Sequence, residues 1–136
     1  MSAMSDYLEN SLIDQLFRGQ SAPTTSTLYV SLFSAAPNDT GGGTELTGSA
    51  YARVAVTSAL TAWAGTQSAG STTSSSGTGG ATSNNTVITF PEPTSSWGEV
   101  VAFGVHDASS GGNLLFHGSL SINKTINQGD TVSFPA

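Results

Sequence analysis

Apolar residues near the start of the chain recur at intervals of three and four positions, which is the spacing of one stripe on a helix. Asp6 and Glu9 have the spacing of a capping box, and Gly19 can end the helix in a left-handed conformation. We therefore predict a helix over about residues 5–18. A helix of this length is unstable alone in water, so its stripe is expected to pack on the rest of the domain or on another subunit. The stripe consists of Leu8, Leu12, Ile13, Leu16 and Phe17.

Beyond Pro23 the period of the pattern changes from 3.6 to 2, which is typical of strands. Short segments rich in β-branched and aromatic residues and bounded by Gly, Pro, Asn or Asp predict strands at 28–33, 51–57, 86–90, 99–106, 113–118 and 131–134. We predict an all-β fold, an antiparallel, jelly-roll-like β-sandwich with one N-terminal helix and long Gly/Ser/Thr-rich loops. It is expected to form a single domain over residues 1–136, with the sandwich at about 26–136.

Residues 65–86 interrupt this pattern with a run of small polar residues that has no charge and no large apolar side chain. Such a segment cannot bury enough apolar surface to offset the entropy lost on ordering. We expect a surface arm that is flexible or reaches a neighbouring subunit. The alternative is a tight insertion packed on its own domain.

Both histidines lie in one predicted hairpin. Pairing His106 with Asn113 places the apolar residues of the two strands on one face and both histidines on the other, more polar face. In that register His106 and His117 lie about 13 Å apart, too far to hold one metal ion. Asp107 is expected to open the turn. We therefore interpret the histidines as surface or interface residues. The predicted apolar face consists of Val101, Phe103, Val105, Leu114 and Phe116.

Charge excludes several classes of partner. The chain has a net charge of −6 and only three basic residues, so it has no basic stripe that could neutralise a run of phosphates or bind an anionic membrane surface. No apolar run approaches the roughly 20 residues of a membrane-spanning helix, and the N-terminus lacks the features of a signal peptide. We expect no contact with nucleic acid or membrane, and synthesis in the cytoplasm.

No motif predicts catalysis or a cofactor. The glycine-rich stretches are not followed by Gly-Lys-Ser/Thr, and no serine lies in a nucleophile elbow. Asp39, Asp107 and Asp130 are interpreted as turn formers, although Asp39, Glu45 and Asp130 could meet as a calcium site. The sequence therefore predicts a protein that is not an enzyme, with no catalytic residue, cofactor or metal.

Several segments, taken together, resemble a family of small virion proteins of tailed bacteriophages. Its members are called tail fibre proteins, and related small β-proteins of similar phages are head decoration (cement) proteins. The similarity spans nearly the whole chain, although the long Ser/Thr/Gly insertion is unusual. The segments are SDYLENSLIDQLFRGQ, LYVSLF, APNDTGGGTEL, GSAYARVAV, ITFPEPTSSWGEV, FGVHDASSGGNLLFHGSL and GDTVSF.

The resemblance implies a structural protein of the virion. Our first expectation is an oligomeric capsid decoration protein that bridges major capsid subunits. The alternative is a tail or tail-fibre component, and its partners would be other virion proteins or host-surface glycans. A third hypothesis is a carbohydrate-binding or hydrolytic domain whose aromatic rings stack on sugars. Candidate interface residues, each of which could instead belong to the core or pack a loop, are Leu12, Leu16, Phe17, Tyr51, Trp63 and Trp97.

Overall fold

An antiparallel six-stranded sheet forms the centre of the protein, and the computed structural model describes residues 2–136. The predicted all-β architecture with one short helix is confirmed. The elements are β1 (Ser2–Met4), α1 (Asp6–Phe17), β2 (Thr27–Ala35), β3 (Thr44–Glu45), β4 (Val54–Thr57), β5 (Ile88–Thr89), β6 (Gly98–His106), β7 (Leu114–Ile126) and β8 (Ser133–Phe134).

The strands follow the order β1-β7-β6-β2-β3, and β4 pairs with the first half of β2 on the same side as β3. β5 and β8 form a separate two-stranded sheet. The core lies between the two sheets, because it contains Val30 and Leu32 of β2 together with Ile88 of β5. Phe134 of β8 packs edge-on against Phe103 of β6, with ring centroids 5.9 Å apart. The result is the two-layer packing expected of a sandwich.

The helix is fixed to the sheet at its N-terminus. Ser5, rather than Asp6, is the N-cap, and its hydroxyl accepts a hydrogen bond from Leu8 N at 3.3 Å. The same hydroxyl donates to Leu114 O, and Ser5 N donates to Leu115 O at 2.9 Å. Gly19, with φ of 65°, follows the last turn as predicted. No residue of α1 is buried. Within residues 2–136 no helix is long and apolar enough to cross a membrane.

The hairpin between β6 and β7 has a different register from the predicted one. Val105 lies opposite Phe116 instead of Leu114, and the register changes between Val105 and His106, which lies opposite Leu114. The extra residue is Leu115, as in a β-bulge. The main register is shifted by two residues, which keeps most side chains on the predicted face because the side-chain period of a strand is two.

The turn of this hairpin explains the shift. Asp107 opens it as predicted, since its carboxylate accepts hydrogen bonds from Asn113 N and Nδ2, both at 2.7 Å. Gly111 and Gly112 have φ of 60° and 67°, a conformation that glycine adopts without strain. These contacts hold Asn113 in the turn, so β7 begins only at Leu114 and runs to Ile126, well beyond the predicted end at 118.

Residues 65–86 fold back on themselves. A bridge between Trp63 and Asn84 closes the neck of the loop, and Ala64 N donates to Ser83 O at 2.8 Å. Inside the loop the Gln67 side chain donates to Thr73 Oγ1 and accepts from Ser76 N, both at 3.0 Å. These bonds lie within the loop and at its neck, and nearly all residues from 67 to 83 are exposed. A contact of the loop with a neighbouring subunit stays a prediction.

Candidate interaction surfaces

His106 is a buried residue of the sheet and not a surface histidine. Its Nε2 lies 3.0 Å from Ser31 Oγ, and its ring stacks on Phe33 with centroids 6.3 Å apart. Ser31 and His106 are both buried, and Gly104 lies directly opposite Ser31 in the sheet. A Cβ atom on Gly104 would lie 2.8 Å from Ser31 Oγ, so a glycine is needed for this close packing.

Burial decides the charge of His106. Loss of hydration, together with the nearby positive charge of Arg53, lowers the pKa of His106 to about 4. The imidazole is therefore neutral at neutral pH. The expectation of a surface histidine is wrong here because residues of the 37–45 segment, Arg53 and the start of α1 lie over this face of the sheet.

His117 lies closer to His106 than the predicted register implied. It is opposite Gly104, two positions from His106, and such diagonal neighbours have Cα atoms about 7–8 Å apart. The two imidazoles have separate partners, because His117 Nε2 contacts Asp39 Oδ1 at 3.0 Å. Within residues 2–136 no three His, Asp or Glu side chains are arranged to hold a metal ion.

The hydroxyl and imidazole of Ser31 and His106 have the spacing of a nucleophile and its base. However, Ser31 has no exposed surface, so a substrate cannot reach it. His106 Nδ1 has no hydrogen-bond partner among the described residues, whereas a catalytic base is oriented by a third group at that atom. A low pKa further weakens the imidazole as a base at neutral pH. The pair therefore serves packing.

The three acids considered as a calcium site do not meet. Asp39 is bound to His117, Glu45 to Arg53, and Asp130 Oδ2 accepts from Asn127 N at 2.7 Å in a turn of its own. A carboxylate that is already paired with a cation or closing a turn is not free to converge with others on a metal.

Arg53 is the centre of a polar network that the sequence analysis missed. Its guanidinium donates to both oxygens of Glu45, from Nε at 2.8 Å and from Nη2 at 2.7 Å. Nη1 donates to the carbonyls of Ala108 and Gly111 at 2.8 and 2.9 Å. Only 8% of the Arg53 side chain is exposed. The one sequence signal was a basic residue inside a predicted strand, in a chain with very few basic residues.

Tyr51 extends this network into the sheet. Its hydroxyl donates to Glu45 Oε1 at 3.0 Å and accepts from Leu32 N at 2.9 Å. Burial raises the pKa of Tyr51, so the phenol stays protonated. For Glu45, burial opposes ionisation, but the bonds from Arg53 outweigh it and lower the pKa. We call Tyr51, Glu45, Arg53 and the two hairpin carbonyls the Arg53 network.

A cavity of about 590 Å³ lies beside this network. Its wall includes Tyr7, Asp39, His106 and Asn113, together with the left-handed glycines at 41–43. Of the charged groups of the wall, Glu45 and Arg53 are paired with each other, and Asp39 contacts His117, which lies outside the wall. The cavity therefore lies over a stabilising network, with no exposed nucleophile and base directed into it.

The aromatic candidates for an interface divide into two groups. Trp97 is buried in the core, where its ring meets Tyr51 edge-on at 5.5 Å and its Nε1 donates to Ser49 O at 3.0 Å. Tyr51 is half-buried with its hydroxyl occupied. These positions favour the alternative of core residues for Tyr51 and Trp97. Trp63 is half-buried at the neck of the 65–86 loop, where an interface role stays a prediction.

The helical candidates are far more accessible. Phe17 is 81% exposed, Leu16 72% and Ile13 50%, while Leu12 is half-buried. We call these four residues the helix face. Of the two expected locations of the stripe, the structure does not show packing on the sheet of the same chain, because α1 is attached through Ser5 and its C-terminal half lies away from the core. Packing on another subunit stays a prediction.

A second apolar surface lies on the other side of the sheet. A groove of about 760 Å³ is bounded by the loop after β4 and the neck of the 65–86 loop, and no charged residue lines it in the described chain. We call this surface the groove. Its apolar lining includes Leu28, Val30, Ala59, Leu60, Trp63, Val105, Phe103, Phe116 and Phe134.

Comparisons with known proteins give the family of the chain. No curated protein matches the sequence. A protein-family model described as "Podophage GP4 fiber I protein gp80" matches residues 3–136, which is nearly the entire chain. The resemblance to small phage virion proteins called tail fibre proteins is therefore confirmed, and the chain belongs to the podophage GP4 fiber I protein gp80 family.

Proposed function

We propose that this chain is a structural part of the phage tail, incorporated into a fibre through protein–protein contacts and without enzymatic activity. The observation that carries the proposal is the helix face, with Leu16 and Phe17 almost fully exposed. Exposed apolar side chains that lie together mark an interaction site. In an assembled fibre a neighbouring protein would cover them.

The buried Ser31–His106 pair supports a role without catalysis. Its hydroxyl is inaccessible and its imidazole is neutral and lacks an orienting acid at Nδ1. Of the charged residues near it, Arg53 and Glu45 are paired with each other, and Asp107 accepts two hydrogen bonds from Asn113. Pairing of buried charges within the chain stabilises the fold of a structural protein, since an unpaired buried charge costs several kcal/mol.

The family description favours the tail over the head. It names a fibre protein, so it supports the alternative from the sequence analysis better than capsid decoration, which was our first expectation. The glycan hypothesis loses two of its three aromatic rings, because Trp97 is buried and the Tyr51 hydroxyl is bonded within the sheet. Only Trp63 lines an open groove where a sugar ring could stack.

Location and copy number in purified virions test the proposal. Quantitative gel staining should give a handful to dozens of copies per particle, and gold-labelled antibody should mark the tail. A known head protein and a known tail protein of the same particle are the controls. Hundreds of copies, with label over the head, would overturn the tail assignment and restore capsid decoration.

A further inference from the structure

The helix face and the groove belong to one chain, but neither fills the other. No residue of α1 lines the groove. The first turn of α1, at Asp6 and Tyr7, borders the cavity on the His106 face of the sheet, whereas the groove lies over Val105 and Phe116. Because successive residues of a strand point to opposite faces, the sheet itself separates the two surfaces.

We propose that the helix face of one copy docks in the groove of a second copy, so that copies associate head to tail. This inference rests on the proposed function, since it names the partner of the helix face. An apolar projection and an apolar recess on different parts of one molecule form a heterologous contact, which generates a ring or a filament.

Charge favours this pairing over other contacts between copies. Each copy carries a net charge of −6, so two copies repel each other unless they meet at neutral surfaces. The groove has no charged residue in its described lining. At the C-terminal end of α1 the one acid, Asp14, is paired with Arg18 at 2.8 Å. Asp6 and Glu9 lie in the first turn, at the other end of the helix.

The size of the two surfaces also fits a repeated contact. A 12-residue helix is about 18 Å long and about 10 Å wide, so one docking event covers a few hundred Å² at most. A standard interface buries about 800 Å² per partner. In a head-to-tail arrangement each copy makes the contact twice, once through α1 and once through the groove. A single contact is therefore weak in dilute solution. It becomes stronger when several copies close into a ring or when the virion holds neighbouring copies together.

Disulfide trapping tests the contact directly, because the chain has no cysteine of its own. A Phe17→Cys protein is mixed with a Leu60→Cys protein that carries a size tag, and the mixture is oxidised. Leu60 lines the groove and is 52% exposed. We expect a heterodimer band stronger than either homodimer. The matched control replaces the tagged partner with Ile122→Cys, at a residue of β7 that is 66% exposed, at least as accessible as Leu60, and outside the groove.

A heterodimer band no stronger with Leu60→Cys than with Ile122→Cys overturns the inference. If gold labelling still places the protein in the tail, the proposed function stands and the helix face binds a different virion protein. If the heterodimer forms but virions carry the protein on the head, the inference stands and the proposed function fails. The two failures are thus separable.

Complementation gives a second, non-covalent test. Phe17→Ser removes the largest side chain of the helix face, and Leu60→Asp places a charge in the groove. Each variant alone should associate at least about tenfold more weakly than the unmodified protein in sedimentation velocity. Mixed at high protein concentration, they should form complexes of two copies held by a single contact, because one intact helix face meets one intact groove. A mixture in which the two variants associate no more strongly than either variant alone overturns the inference. Far-ultraviolet circular dichroism of both variants checks that they fold.

Discussion

Arg53 and Glu45 are paired with each other within the chain, whereas the apolar side chains of α1 are left largely uncovered. Arg53 makes four hydrogen bonds and is almost completely buried. Phe17, at the end of α1, is 81% exposed. The difference shows which part of the molecule supports the fold and which part is available to a partner. Substitutions in the Arg53 network should change stability, and substitutions in the helix face should change association.

The largest effect is expected from Arg53→Met. It leaves Glu45 partly buried without its cation and removes the donors to Ala108 O and Gly111 O. We expect the free energy of unfolding to fall by about 2–4 kcal/mol, measured by urea denaturation. The matched control is Arg18→Met, which breaks the exposed ion pair with Asp14 and should cost less than about 0.5 kcal/mol. Equal losses of unfolding free energy in the two variants would contradict the assignment of Arg53 to a network that stabilises the fold.

Acid should destabilise the protein through His106. The folded-state pKa of His106, about 4, lies below the ordinary histidine value of about 6.5. Between these values the unfolded chain binds a proton that the folded chain does not, so stability falls as pH falls. From pH 6.5 to pH 5 the expected loss is about 1–2 kcal/mol. Urea denaturation at several pH values measures it.

The His106→Gln variant should lose this fall in stability over the same pH range, even if it is less stable at every pH. The matched control is His117→Gln, which leaves His106 in place and should retain the fall. Glu45 and Asp107 also have lowered pKa values, and their contributions are lost at lower pH, as the solution approaches the pKa values of ordinary carboxyl groups. A slope that survives in His106→Gln between pH 6.5 and 5 would contradict the assignment.

A smaller effect is expected from Ser5→Ala, which tests how α1 is attached. The variant removes the N-cap bond from Leu8 N and the buried bond to Leu114 O. Loss of an N-cap side chain costs about 1 kcal/mol. Circular dichroism should show reduced helix content before global unfolding. Ser11→Ala, which removes an exposed bond to Tyr7 O within the helix, is the control and should leave both signals unchanged.

The smallest effect on stability is expected from Leu16→Ser combined with Phe17→Ser. Both side chains are exposed, so the free energy of unfolding of the monomer should change by less than about 0.5 kcal/mol. Incorporation into virions, measured by gel staining of particles that carry the double variant, should fall strongly. A double variant that is incorporated normally would show that the helix face is not a contact surface.

Local features of the sequence were enough to predict the secondary structure. The apolar spacing of residues 8–17, with Gly19 after it, predicted α1, and alternating segments predicted the six main strands. These features depend on neighbours a few positions apart, so the chain itself displays them. β1 and β3 were missed because neither lies in a segment of alternating β-branched or aromatic residues: β1 is SAM, and β3 is TE in a glycine-rich stretch.

The register of the hairpin and the burial of His106 were decided by contacts between distant parts of the chain. A shift of two residues keeps the same faces, so the pattern of apolar positions could not distinguish the predicted register from the real one. The Asp107 and Asn113 side chains made that choice. His106 became a core residue only because Arg53 and residues 37–45 lie over it.

The sequence by itself determined which segments are helix and strand, and that the helix has an apolar stripe. Only the tertiary structure decided that the C-terminal part of this stripe is left exposed, while Trp97 is buried in the core and the half-buried Tyr51 packs against it. The physical reason is that burial depends on which surfaces the fold brings together. The loops around Arg53 cover one face of the central sheet, and the second sheet covers the other. The helix α1 is attached at Ser5 and extends beyond these covering elements.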